Sequence, residues 1–171
     1  MKYKKLPHLS IINHYQFITF RTKDSIDDYI KKIYSSLKSI KIREQKIDTY
    51  LDNSKKGAYF YTDTIEIMKN YLLSKDRDIY DLISFTIMPN HIHLLFKEKI
   101  ELFQTLKIIK GGSAFLINKH LKREGSLWSK YYYDKLIRDN QHFDTVYKYI
   151  KNNAIKTELK DAKSRYYGIY D

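Results

Sequence analysis

The sequence predicts a single α+β domain in which helices pack against an antiparallel sheet. Two patterns carry this prediction. Some segments have the period of two that is typical of strands, and others repeat apolar residues three and four positions apart, which is typical of helices. The 171 residues contain no internal repeat, low-complexity tract or Pro/Gly-rich linker, so we expect one domain over residues 1–171.

The first part of the chain is predicted to form one strand followed by helices. His14 to Thr22 has the strand period, and Ser25 can cap a helix after it. The apolar residues of that helix are expected to lay one stripe on the sheet: Ile26, Ile30, Ile33, Leu37 and Ile40. The polar segment Arg43 to Gly57 is expected to be a loop or a loosely packed helix. A second helical pattern runs from about Thr64 to Ser74.

A β-hairpin is predicted in the middle of the chain. Tyr80 to Met88 and His91 to Lys97 are two strand-like runs, and Pro89-Asn90 between them suits a tight turn. Helical periodicity returns from Glu101 to about Arg123. Gly111-Gly112 interrupts it, which marks either a kink or a close approach by another group.

The last part of the chain is predicted to add a fourth strand, Leu127 to Arg138, and a final helix that begins near Asn140. Phe143, Val146, Tyr147 and Ile150 would be the buried stripe of that helix. The order β-α-(α)-β-β-α-β-α closes most simply into a four-stranded antiparallel sheet with helices on one face, the ferredoxin-like arrangement. The C-terminal helix is then left over and needs a place to pack.

The composition favours a partner that carries negative charge. The chain has 32 basic and 20 acidic residues, a formal net charge of +12, and 17 tyrosines. Cations and aromatic rings together suit phosphates and unpaired bases, although a lysine-rich composition alone would give the same excess. The absence of cysteine excludes disulfides, thiolate zinc sites and cysteine nucleophiles. No run resembles a signal peptide or a membrane span, so we expect a cytoplasmic protein.

Two histidines in the second hairpin strand are candidate metal ligands. Successive side chains of a strand point to opposite faces, so His91 and His93 share one face. Ile92, Leu94 and Phe96 would then face the core. Two neutral imidazoles at this spacing can hold one divalent ion, but two unrelated surface histidines would give the same pattern.

Tyr149 and Asn153 lie four positions apart on the last helix and therefore share a face. That face borders the predicted buried stripe, so both side chains can look towards the sheet. An amide oxygen suits a hard ion such as Mg²⁺ or Mn²⁺, and a phenol oxygen beside it can attack a phosphodiester. In a chain with 17 tyrosines, however, spacing alone also fits an ordinary half-buried tyrosine.

The order and spacing of these motifs resemble a known family. Met88 to Phe96 (MPNHIHLLF) is similar to the HUH motif (histidine, hydrophobic, histidine) of the small single-tyrosine transposases. Leu127 to Asp134 and Ile137 to Asp139 are similar to the segment before the last helix in their REP-associated branch. Tyr149 to Lys156 resembles the catalytic helix of that branch. The resemblance covers about residues 13–160.

This resemblance implies a metal-dependent transesterification on single-stranded DNA beside hairpins, carried out by a monomer or a homodimer. Tyr149 would be the nucleophile that forms a 5′-phosphotyrosine link. His91, His93 and Asn153 would hold Mg²⁺ or Mn²⁺. The predicted DNA contacts are Lys107, Lys110, Lys119, Lys122, Arg123, Trp128, Lys130, Lys135 and Arg138.

The sequence departs from the family at Ala154, where a proline is common, and at Ser129-Lys130, where Gln-Arg usually follows the tryptophan. Three other interpretations are also compatible with the sequence. One is a replication-initiator or relaxase-like HUH endonuclease, for which Tyr132 and Lys135 have the required spacing. Another is a nucleic-acid-binding domain without catalysis. The third is a domesticated homologue that cuts DNA without moving an element.

Overall fold

The computed structural model describes residues 8–36 and 38–171. Within these residues one antiparallel sheet has five strands in the order β4-β1-β3-β2-β5. Their bounds are β1 Tyr15–Thr22, β2 Tyr80–Ile87, β3 His91–Glu98, β4 Trp128–Leu136 and β5 Tyr166–Gly168. The four predicted strands are confirmed to within two residues at each end.

The prediction of only four strands was wrong, because β5 pairs with β2 at the edge of the sheet. β5 has three residues, which is too short to show a strand period in the sequence. The preceding residue, Arg165, anchors it. The Arg165 guanidinium is fully buried and donates to the carbonyl oxygens of Ile87, at 2.9 Å, and Phe60, at 3.1 Å.

Helices cover both faces of the sheet, rather than the single face that we predicted. The six helices of the described residues are α1 Asp28–Ser36, α2 Ile40–Asn53, α3 Asp63–Ser74, α4 Leu102–Leu121, α5 Asn140–Lys156 and α6 Ala162–Arg165. α3 and α4 pack on one face, where Ile92, Leu94 and Phe96 lie as predicted. α5 packs on the other.

The second face needs a cover because it is also partly apolar. Phe17, Ile83 and Leu95 on the strands form a buried cluster with Val146 and Ile150 of α5. Burying these side chains stabilises the fold by roughly 1.5–3 kcal/mol each relative to exposure. The C-terminal helix that was left over in the prediction therefore packs on the face that carries His91 and His93.

α1 and α2 form a separate helical pair. Ile30 and Ile33 do not pack on the sheet as predicted but form a buried cluster with Ile47 and Leu51 of α2. Leu37 lies outside the described residues. The expected cap was also wrong: Ser25 lies in a 3₁₀ turn, and the carboxylate of Asp27 accepts from the Ile30 backbone N–H at 3.1 Å.

The Gly111-Gly112 pair does not break α4, which runs through it without interruption. A Cβ at Gly112 would lie 2.0 Å from the Tyr71 hydroxyl, which donates to the Ile108 carbonyl at 2.7 Å. Of the two predicted alternatives, a kink or a close approach by another group, the structure therefore shows the close approach: Tyr71 of α3 packs against Gly112. Across the described residues, no helix has the length and apolar character needed to cross a bilayer.

Candidate active site

His91 and His93 are buried side by side on the second face of the sheet. Their ring centroids are 4.8 Å apart, and both side chains are inaccessible to solvent. β3 lies between β1 and β2, so the two rings project from the interior of the sheet rather than from its edge. The predicted common face of the two histidines is confirmed.

Asn90, in the hairpin turn, sets the tautomer of His91. Its amide nitrogen donates to the carbonyls of Leu51, at 3.0 Å, and Ser54, at 3.2 Å, so its Oδ1 must face His91 Nδ1, at 2.7 Å. An amide oxygen only accepts hydrogen bonds, and Nδ1 of His91 therefore carries the hydrogen. The lone pair of His91 is left on Nε2, which is buried and has no hydrogen-bond partner among the described residues.

The second histidine has its hydrogen-bond partner on the neighbouring strand β1. His93 Nδ1 lies 2.7 Å from the Thr19 hydroxyl, which leaves Nε2 to face the site. Burial lowers the pKa of His93 to about 4 and the pKa of His91 well below its ordinary value, because both are removed from water. Both imidazoles are thus neutral at physiological pH, which is the form that binds metal.

Tyr149 of α5 reaches this pair in its own chain. Its hydroxyl lies 3.4 Å from His93 Nε2 and donates to Asp48 Oδ2 at 3.0 Å. Burial and the neighbouring Asp48 carboxylate raise the pKa of the Tyr149 phenol. The rival nucleophile Tyr132 packs against the core on the opposite face of the sheet, so only one of the two tyrosines borders the histidines.

Asn153 lies one turn after Tyr149 on α5. Its side chain is 6% exposed, and its Oδ1 is buried without a hydrogen-bond partner in the described part of the chain. A buried amide oxygen without a partner costs roughly 1–3 kcal/mol. This cost indicates that Asn153 Oδ1 binds a group other than a side chain of the protein.

Sequence reasoning missed an acidic contribution from α2. A nitrogen or oxygen atom from each of Asp48, His91 and His93 lies within 4.8 Å of the others. Asp48 Oδ1 accepts from Arg21 at 3.0 Å, and Glu44 accepts from the same buried guanidinium at 2.7 Å. Arg21 lowers the pKa of Asp48 against the opposing effect of burial.

Asp52, one turn after Asp48, completes this acidic face. Its Oδ1 lies 3.8 Å from His91 Nε2 and, like that nitrogen, lacks a hydrogen-bond partner within residues 8–36 and 38–171. Burial and the Asp48 charge raise the pKa of Asp52 to about 7. A signal was present in the sequence, because Glu44, Asp48 and Asp52 recur every four residues and so share one face of a helix.

A cleft of about 2620 Å³ opens beside Tyr149, between α1 and α2 on one side and β4 and α5 on the other. Four of the predicted DNA contacts are cations that line it: Lys110, Lys130, Lys135 and Arg138. Four others are not among its lining residues: Lys107, Lys119, Lys122 and Arg123. Lys107 and Lys119 belong to α4, which packs on the opposite face of the sheet.

Trp128 lines the same cleft but is only 7% exposed. Its indole N–H donates to the Ser113 hydroxyl at 3.0 Å, and its ring stacks on Phe60. Its position therefore does not support the expected stacking on a base. The exposed aromatic of this strand is Tyr131, at 60%.

Comparisons with known proteins bear on the family and the fold of the chain. The family described as "Transposase IS200 like" matches residues 55–153, more than half of the chain. The REP-associated tyrosine transposase solved with a REP hairpin is 13% identical with a TM-score of 0.55, over 90% of this chain and 73% of that one. A transposase candidate from Deinococcus radiodurans R1 is 18% identical over 89% of this chain and 97% of that one, with a TM-score of 0.38.

No curated protein matches the chain. The first solved structure supports the fold, while the family match is decisive because it covers more than half of the chain. The chain belongs to the family of IS200-like transposases.

Proposed function

We propose that this transposase cuts and rejoins single-stranded DNA through a 5′-phosphotyrosine intermediate, with Tyr149 as nucleophile. The observation that carries the proposal is the position of the Tyr149 hydroxyl, 3.4 Å from His93 Nε2. A phenol held beside two neutral histidines at the end of a basic cleft suits attack on a phosphate better than simple binding. The solved REP-hairpin complex of a similar fold supports hairpin-flanked DNA as the substrate.

We propose His91, His93 and Asn153 as the ligands of Mg²⁺ or Mn²⁺. His91 Nε2 and Asn153 Oδ1 support this set, because both are buried and lack a hydrogen-bond partner among the described residues, a property that Asp52 Oδ1 shares. Asp48 is less suited, since Arg21 and Tyr149 already engage its two oxygens. The bound ion would supply positive charge to a non-bridging phosphate oxygen in the transition state.

Asp48 has a different role in this proposal. It holds the phenol hydrogen of Tyr149 at Oδ2, so the lone pairs of the phenol oxygen point away from α2 and towards the substrate. Attack forms the bond between this oxygen and phosphorus and breaks the bond to the 3′ oxygen. The phenol proton passes to Asp48 Oδ2, which already accepts its hydrogen bond, and the leaving oxygen takes up a proton from water to become a 3′-hydroxyl. Reversal of the same steps rejoins the strand without ATP.

The test is covalent capture. Purified protein would be incubated with Mn²⁺ and labelled single-stranded oligonucleotides that carry hairpins from its own genomic flanks, alongside the Tyr149→Phe variant. We expect an SDS-resistant adduct from the parent protein and none from the variant, with DNA binding nearly unchanged. An adduct that persists in Tyr149→Phe would place the nucleophile elsewhere and overturn the assignment.

A further inference from the structure

α1 and α2 precede the segment that matches the family, yet they form one wall of the cleft that leads to Tyr149. The pair has its own buried cluster. It is tied to the sheet by Arg21, which donates to Glu44 and Asp48 of α2. The position of this wall is therefore fixed relative to the nucleophile.

Both walls of the cleft carry cations. Lys31, Lys41 and Arg43 line it on the α1–α2 side, and Lys130 and Lys135 line it on the β4 side. Cations on two facing walls suit a nucleic-acid strand, which has a phosphate at every residue. Each phosphate that a cation neutralises releases counterions, and this release favours binding. The charge of the cleft and its continuity with Tyr149 favour a polynucleotide over a protein as its occupant.

Two tyrosines, one from each wall, approach each other in the cleft. The ring centroids of Tyr34, on α1, and Tyr131, on β4, are 6.3 Å apart, and their planes are inclined by 38°. Tyr131 is 60% exposed, and the Arg43 guanidinium lies 5.1 Å from the centroid of the Tyr34 ring. Holding one flat base between two rings needs about 7 Å, twice the ~3.5 Å contact distance of carbon atoms.

We propose that α1 and α2 form a wall for unpaired DNA, and that one base of the strand next to the cleavage site is held between Tyr34 and Tyr131. The 6.3 Å between the ring centroids is slightly less than the ~7 Å that one stacked base needs, so the two rings must move apart and become parallel to admit it, and a space of this size takes a single base rather than a base pair. This inference rests on the proposed function for the position of the strand, because Tyr149 marks where the strand is cut.

The test measures binding alone, in the Tyr149→Phe background, with fluorescein-labelled dT20. Base–aromatic stacking is worth roughly 1–3 kcal/mol per base, which corresponds to about a 5- to 150-fold loss of affinity on truncation. We expect a loss in this range for Tyr34→Ala and for Tyr131→Ala. The double variant should lose little more than either single variant, since both rings hold the same base.

Three controls make this result specific. Tyr34→Phe keeps the ring and should bind like the parent. Tyr29→Ala removes an exposed tyrosine of the same helix that does not line the cleft, and should change nothing. A 20-mer of abasic sites should bind parent and alanine variants equally, because it has phosphates without bases.

Parent-like binding of dT20 by Tyr131→Ala would overturn the proposal, as would an equal loss on the abasic strand. Tyr131 is exposed, so its variant remains decisive even if Tyr34→Ala fails to fold, which its thermal melt would reveal. Failure of the proposed function is seen separately, as the absence of an SDS-resistant adduct with the native Tyr149.

Discussion

Asn90 links the hairpin turn to the chemistry of His91. Its amide nitrogen fastens the turn to the end of α2, and its oxygen accepts from His91 Nδ1 at 2.7 Å. Partners of this kind orient a metal-binding histidine and fix its tautomer. A residue that sequence analysis assigned only to a turn therefore also orients a histidine of the proposed metal site.

Replacing Asn90 separates these two roles. Asn90→Ala should lower adduct formation about 10- to 100-fold and raise the Mn²⁺ concentration at half-maximal activity. Asn90→Asp keeps an acceptor for His91 Nδ1, so it should keep a near-parent Mn²⁺ midpoint while losing the donors to Leu51 and Ser54. If both variants shift the Mn²⁺ midpoint equally, the oxygen does not set the tautomer.

Asp52 makes stability depend on pH. Its pKa rises from an ordinary value near 3.8 to about 7 in the folded protein, so the folded state binds the proton more tightly than the unfolded state. Stability from this group is present below the unfolded pKa and is lost as pH rises from about 4 to about 7.

Asp52→Asn should therefore stabilise the metal-free protein more at pH 8 than at pH 4. We expect a gain on the order of 1–2 kcal/mol at pH 8, less than the full pKa shift would give because water still reaches the group. Urea unfolding in EDTA at the two pH values measures it. An equal effect at both pH values would refute a raised pKa.

At the scale of elements, α2 is the part that sequence analysis placed least well. The segment Arg43 to Gly57 was expected to be a loop or a loosely packed helix, whereas Ile40–Asn53 is a regular helix. Its apolar residues Ile47 and Leu51 pack against α1 rather than against the sheet. A stripe that pairs with another short helix is narrow, so the periodicity in the sequence was weak.

The packing of α1 against α2 should matter for activity even far from the site. Ile30 is fully buried on α1, and Ile30→Ala should cost about 2–5 kcal/mol and loosen the helix that carries Asp48. We expect slower adduct formation at temperatures where the sheet remains folded. Ile117→Ala, fully buried on α4, is the matched control. It should lose comparable stability without slowing the reaction, and equal slowing in both would contradict a specific role for α2.

At the scale of the whole molecule, the basic residues behind the net charge of +12 do not all lie in the cleft. The cleft gathers cations from α1, α2, α4, β4 and α5, while other predicted contacts, such as Lys107 and Lys119, do not line it. The cleft should therefore govern the affinity for single-stranded DNA, and the remaining charge should contribute mainly to encounter with DNA.

This arrangement predicts a steep dependence of binding on salt. For a single strand, log K falls with log salt at about 0.7 per phosphate neutralised, so contacts to four phosphates would give a slope of roughly −3. Lys130→Ala should reduce the slope by about 0.7, whereas Lys119→Ala, outside the cleft lining, should change it little. Fluorescence anisotropy with dT20 from low to moderate salt measures both slopes, and a flat response would contradict the electrostatic role.

The sequence by itself determined what depends on local period. The strand period placed His91 and His93 on one face, and the helix period placed Tyr149 and Asn153 on another, because both follow from backbone geometry over a few residues. Tertiary structure alone decided the cover of the second face, the fifth strand, the tautomer of His91 and the contact of Asp48 with Tyr149. That last contact joins residues 101 positions apart, and no local period records such a separation.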